Sequence, residues 1–142
     1  MIKYIDFIKS ETAKRYKIDN NPKTRAIIEN ILHTLKSMDD IIKNVFDNKK
    51  IIITSGFRCF FLNKVIKGSS NSQHKKGQAI DFSISGLSPK EICDKIQKSF
   101  YSYDQLILCK NFVHISFNSL SILERKENLI KTSKGYIKVN SF

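Results

Sequence analysis

Between residues 22 and 47 the side chains Ile28, Ile31, Leu32, Leu35, Met38, Ile42, Val45 and Phe46 recur at the three-and-four spacing of an amphipathic helix. Asn21-Pro22 supplies a start signal, with Pro22 suited to the first helical position, where no backbone N–H is required. A helix running from there to about Asp47 carries one long apolar stripe. The stripe reads as core, buried against a second layer, and not as a binding groove.

The second layer is supplied by short apolar runs. Residues 50–54, KIIIT, read as a buried strand ending at Ser55-Gly56, and 59–66 as a short helical turn. A polar loop from Gly68 to Gln73 leads to a strand near 78–84. Ser88-Pro89-Lys90-Glu91 is a capping box with proline at the first helical position, opening a helix to about Phe100. Residues 104–109 and 112–117 read as two strands joined by the two-residue turn Lys110-Asn111. The first twenty residues read as an irregular lead-in with one short helical piece. The tail, 120–142, offers one further strand at 136–139. Together these predict a single α+β domain over 1–142, with a small, mainly antiparallel sheet flanked by helices.

Charge narrows the partners. The chain carries 25 Lys and Arg against 13 Asp and Glu, a formal net charge of +12. That favours polyanions: an acidic cell wall, or nucleic acid. The basic residues are spread along the chain and no aromatic stacking motif or recognition helix accompanies them, so the nucleic-acid reading ranks last. No apolar run reaches the roughly 18–20 residues of a membrane span. The amino terminus alternates apolar and charged residues and does not form a signal-peptide core, so action outside a cytoplasm would need another route, such as a virion or a lysis step. Cys59, Cys93 and Cys109 are odd in number with no CxxC spacing, which predicts reduced, buried thiols folded in a reducing compartment. A monomer is expected.

Alternation along two of the strands points to chemistry. In Ala79–Ile84, residues Ile80, Phe82 and Ile84 face one way and Ala79, Asp81 and Ser83 the other. In 112–117, Val113, Ile115 and Phe117 make the core side and His114 lies opposite. Each strand therefore sets one potential metal ligand on the face away from the apolar set. His74 precedes Asp81 by seven residues, and the small Gly77 and Ala79 let backbone pass close beneath a site. Two imidazoles and a carboxylate match the three-ligand set of catalytic zinc. A mid-strand histidine also serves as a hydrogen-bonded structural residue, and spacing alone leaves both readings open. His33, off the helix stripe, reads as solvated.

The motif string is more specific. Ser55-Gly56-Phe57-Arg58, then the run from Ser72-Gln73-His74 through Gly77 and Ala79 to Asp81, then Phe112-Val113-His114-Ile115-Ser116 appear in that order. This SGxR, SxHxxGxAxD and [FW]VH series resembles the zinc D-Ala-D-Ala carboxypeptidase and phage endolysin family, whose fold is shared with the hedgehog signalling domain. Ser10-Glu11-Thr12-Ala13 and Leu62-Asn63 are also similar to short viral and phage members, and the resemblance extends to about residue 117.

The resemblance implies a zinc site held by His74, Asp81 and His114. It implies a peptidoglycan-cleaving peptidase, acting as a D,D-carboxypeptidase or an endolysin-type endopeptidase, with zinc polarising the scissile carbonyl and acidifying water. It gives Arg58 a place at the anionic end or carbonyl of a stem peptide, a task suited to its planar fork of donors. Ser72 would bind substrate or brace its loop. One part departs from the pattern. Relatives place an acid shortly before the last histidine to take the proton of water, whereas here Asn111 and Cys109 stand there. With Lys110-Asn111 as the turn, Ile107 pairs with His114, and Cys109 and Gln105 point to the metal side. Asp104 is the nearest carboxylate and the leading candidate base, although this register turns it toward the core. The missing acid keeps a second reading open: a metal-binding recognition module of the same fold without hydrolytic activity.

Overall fold

The computed structural model describes residues 1–119 and 122–142; residues 120–121, where the tail begins, lie outside them. The lead-in holds two short helices, α1 (Tyr4–Ile8) and α2 (Glu11–Arg15), the second capped by Ser10, whose hydroxyl accepts from the Ala13 N–H. The long helix α3 spans Arg25–Val45. It begins three residues later than expected, because the Thr24 side chain accepts from the Ile27 N–H and serves as the cap, leaving Pro22 in the lead-in. Its buried face is also rotated from the expected stripe. Ile31, Leu35, Met38, Ile41 and Ile42 point inward, while Ile28 and Leu32 are exposed. The full set of apolar residues is wider than one face, and packing chose between them.

Strand β1 (Ile51–Ser55) follows, then the short helix α4 (Phe60–Val65), a single 3-10 turn at Gln73–Lys76, and β2 (Ala79–Ile84). Helix α5 (Pro89–Lys98) opens on the full Ser88/Glu91 capping box, as the sequence predicts. After it come β3 (Gln105–Leu108), β4 (Val113–Ser116), β5 (Glu127–Thr132) and β6 (Gly135–Val139). The six strands form one sheet in the order β1-β2-β4-β3-β5-β6. All neighbours are antiparallel except β3 and β5, which run parallel. The fold is α+β, mainly antiparallel, as expected. Two expectations are corrected: β1 is an edge strand with Ile52 half exposed instead of a buried one, and the tail contributes two strands, not one.

The sheet has a dry face and an open face. Helices α1, α3 and α5 bury Phe7, Met38, Ile92 and Ile96 against Ile80, Phe82, Leu106, Val113 and Ile115 on the dry face. No described helix is long and apolar enough to cross a membrane. The β3–β4 turn falls where expected: Ile107 pairs with His114, and the Cys109 N–H donates to the Phe112 carbonyl at 3.1 Å. That register fixes which side chains reach the open face.

Candidate metal centre

The site is assembled by three segments that hold one another. Between β1 and β2 the pairing steps from Ile53↔Phe82 to Ser55↔Asp81, a bulge at Thr54 that re-aims the chain leaving β1. Gly56 follows. A Cβ there would lie 2.1 Å from the Phe7 carbonyl oxygen, so only glycine lets this loop press against α1. The Phe57 N–H donates to that same carbonyl at 2.9 Å. Asn20, buried in the lead-in, donates to the carbonyls of Ile8 and Phe57 and accepts from the Cys59 N–H. These contacts set the Ser55–Arg58 loop, which in turn grips the next segment: Arg58 N–H donates to the His74 carbonyl at 3.1 Å.

The His74 turn is shaped by its own sequence. The Ser72 hydroxyl accepts from the His74 N–H at 3.3 Å and caps the 3-10 turn, so Ser72 braces the loop at the edge of the cleft. Gly77 ends the turn in the left-handed conformation, φ 73°. A Cβ there would stand 2.5 Å from Ile31 Cγ1, which corrects the expected role: this glycine admits helix α3, not the metal site. Thr34 and Asn30 of α3 then donate to the carbonyls of Gly77 and Lys76.

The two strands complete the group. Asp81 pairs across β2 and β4 with His114, so both side chains rise from the open face side by side. Donor atoms of His74, Asp81 and His114 all lie within 4.8 Å of one another, and this trio can hold a metal ion. His74 Nδ1 is 2.7 Å from the Gly56 carbonyl, which can only accept, so Nδ1 carries the proton. Nε2 of the neutral ring is then an acceptor, yet it faces Asp81 Oδ1 at 3.2 Å. His114 Nδ1 meets the same oxygen at 2.8 Å. Two acceptors in contact need a proton or a cation between them. Burial disfavours the charged form of His74 and moves its pKa down. Burial would raise that of Asp81, but the neighbouring imidazoles outweigh it and hold the carboxyl well below the usual range. A carboxylate set against two imidazoles suits a divalent cation, and the Gly56 carbonyl behind His74 is the kind of outer partner that orients a ligand.

Arg58 lies against this group. Its Nε donates to Ser55 Oγ at 2.9 Å and an Nη to Asp81 Oδ2 at 3.2 Å. The guanidinium is largely buried and lines a cleft of about 730 Å3 that also takes in His74, His114, Gln105 and Cys109. Cys109 and Gln105 thus reach the metal side as expected. The Cys109 thiol is pushed up to about 11 by burial, with the Asp81 charge adding to the shift, so it is protonated at neutral pH. The described cysteines are all free.

A profile of the peptidase M15 family matches residues 1–116, which contain every one of these segments. The chain belongs to the peptidase M15 family. Among curated proteins, none matches it significantly. M15 enzymes are zinc peptidases of the D-Ala-D-Ala carboxypeptidase type, and the His74–Asp81–His114 cluster in this M15 member is a group that can take the metal.

Asp104 is not brought into the cluster. It sits just before β3 with its side chain 1% exposed, and its oxygens accept from Gln73 Nε2, Asn118 Nδ2 and three nitrogens of Arg125. Burial would raise its pKa, but the Arg125 hydrogen bonds outweigh that and lower it. The Glu127 N–H donates to the Asp104 backbone carbonyl at 2.9 Å, so this residue fastens the tail to β3. The carboxylate that does line the cleft is Glu127 on β5, bonded by Gln105 Nε2 at 2.7 Å. The sequence reading missed Glu127, Arg125 and Asn20. β5 carries no clean alternation, and a buried asparagine in a lead-in leaves no periodic mark.

Proposed function

We propose that the protein is a zinc-dependent peptidase that cleaves peptidoglycan stem peptides, as a D,D-carboxypeptidase or an endolysin-type endopeptidase. The observation that carries this reading is the convergence of His74, Asp81 and His114 on one cleft, beside a buried Arg58, in a member of the M15 family. His74 would hold zinc through Nε2, its other nitrogen being committed to Gly56, with Asp81 and with Nδ1 of His114. Bound zinc supplies Lewis-acid chemistry, polarising a carbonyl and lowering the pKa of water. Arg58 is held by Ser55 and Asp81 where one donor face meets the cleft, and would steady the carbonyl or an anionic end of the peptide. Ser72 would act on substrate through the loop it braces. The charge of +12 would hold the protein to an acidic wall.

A second reading is favoured by one observation. The position facing the metal side before His114 is a protonated thiol, Cys109, and Asp104 is saturated by donors. Glu127 stands two strands away from His114, roughly 10 Å by strand spacing, outside direct hydrogen-bonding range. A chain so arranged binds metal and peptide but turns over slowly or not at all. The test is zinc-loaded protein incubated with purified peptidoglycan. Release of D-alanine or of new amino groups, abolished by chelation and by His114→Ala, supports the peptidase. Stoichiometric zinc with no release from any wall supports the binding module.

A further inference from the structure

The open sheet face continues past the metal cluster into a hairpin that lies wholly outside the 1–116 family match. Strand β5 runs parallel to β3 with Gln105↔Glu127 and Ile107↔Leu129 in register, so the cleft-facing side chains of β3 are continued by those of β5. Lys131 is the next residue on that face. Its cross-strand partner in β6 is Tyr136, which therefore stands on the same side. Lys131 and Tyr136 line the same cleft as Arg58 and His114.

The charges around this cleft are unevenly matched. Arg58 is paired with Asp81, Arg125 with Asp104, and Lys138 lies 3.8 Å from Glu127. Lys131 has no carboxylate partner among the described residues, and its ammonium is exposed beside an exposed tyrosine. Two strand spacings across the sheet and two residues along it separate Lys131 from His114, roughly 12 Å or about three to four residues of extended peptide. A cation with a phenol beside it, held at fixed distance from a reacting centre, suits an anionic group on the same peptide.

We propose that Lys131 and Tyr136 form a recognition wall that selects peptides carrying a free carboxylate within about three to four residues of the carbonyl placed at the His74–Asp81–His114 cluster. The proposal rests on the peptidase reading for its substrate class. The carboxylate comes from a chain terminus or from an acidic side chain, and both offer the same two oxygens to the lysine and the phenol.

The experiment uses zinc-loaded full-length protein and fluorescent stem pentapeptides made in matched pairs. One pair differs in a free or amidated C-terminus, the other in an acidic side chain or its amide, and anisotropy gives Kd for each. The wild type is expected to bind the carboxylate member of one pair about threefold to tenfold more tightly than its amide, the range for a partly exposed charged hydrogen bond. The pair that shows the preference names the source. Lys131→Met should lower the ratio about threefold or more, leaving only what Arg58 gives to an anionic end, Lys131→Arg should keep it, and Tyr136→Phe should reduce it. Both positions are solvent-exposed, so thermal unfolding curves should overlay the wild type. A wild type without preference in either pair, no measurable binding, or a Lys131→Met ratio equal to wild type overturns the proposal. Lys131-dependent binding without hydrolysis would sink the peptidase reading alone; hydrolysis without the preference would sink the wall alone.

Discussion

Replacing Asp104 with asparagine separates two roles that the sequence leaves together, base and clamp. The Asp104 carboxylate is surrounded by donors only: Gln73 Nε2 at 3.0 Å, Asn118 Nδ2 at 2.7 Å, Arg125 N at 3.1 Å, Arg125 Nε at 3.0 Å, and an Arg125 Nη. Asparagine fits the volume but offers one acceptor oxygen and turns an NH2 group toward donors. A hydrogen bond to a charged group contributes about 1.5–3 kcal/mol, and the half-exposed Arg125 lowers what its share adds. The expected loss is about 2–3 kcal/mol, a fall in Tm of roughly 4–12 °C for a domain of this size. Because the folded pKa of Asp104 is depressed, its contribution is fully present above the unfolded value of 3.8 and is lost as pH falls through the folded one. The wild-type advantage over D104N should therefore be constant near neutrality and shrink below about pH 4. Urea unfolding across pH measures it, alongside hydrolysis corrected for folded fraction. As a clamp, D104N keeps activity per folded molecule within about threefold; loss of a general base costs about a hundredfold or more. A variant that is as stable as wild type but inactive refutes the clamp.

Two other substitutions probe the site. Cys109→Glu places a carboxylate on the metal side next to the hairpin turn and should raise hydrolysis by about a hundredfold, at about 1–3 kcal/mol of stability for the tighter packing; unchanged rates in a folded, zinc-loaded variant would count against a missing acid. Gly77→Ala must adopt φ 73° and push a methyl to 2.5 Å from Ile31 Cγ1, which should cost about 2–4 kcal/mol in a urea melt; a loss under about 1 kcal/mol would show that α3 yields more easily than its packing indicates.

Much of the site was legible because its signals are local. Strand alternation alone puts Asp81 and His114 on the polar face, and the Lys110-Asn111 turn sets the register that carries Cys109 and Gln105 to the same side. The capping box at Ser88 was equally plain, since both halves of the motif lie within four residues. What escaped depends on distant partners. The face of α3 cannot be chosen among eight apolar residues without the sheet it meets, so the periodicity takes in the exposed Ile28 and Leu32 and leaves out the buried Ile41. The parallel pairing of β5 to β3 joins segments that share no turn, and it carries Glu127, Lys131 and Tyr136 into the cleft. Gly77 is near His74 in sequence, which points to the metal site, whereas the atom that forbids a side chain there belongs to Ile31. Asp104, which the strand register turns toward the core, is buried instead among Gln73, Asn118 and Arg125, as an anchor for the tail.

The central claim is that His74, Asp81 and His114 form one zinc site. Metal analysis of the protein purified without added chelator, by mass spectrometry of the native chain, tests it most directly, with His74→Ala and His114→Ala prepared in parallel. One zinc per wild-type chain is expected, lost from both variants while each remains folded. A wild-type chain that takes up no stoichiometric zinc, or variants that keep it, would rule out this ligand set.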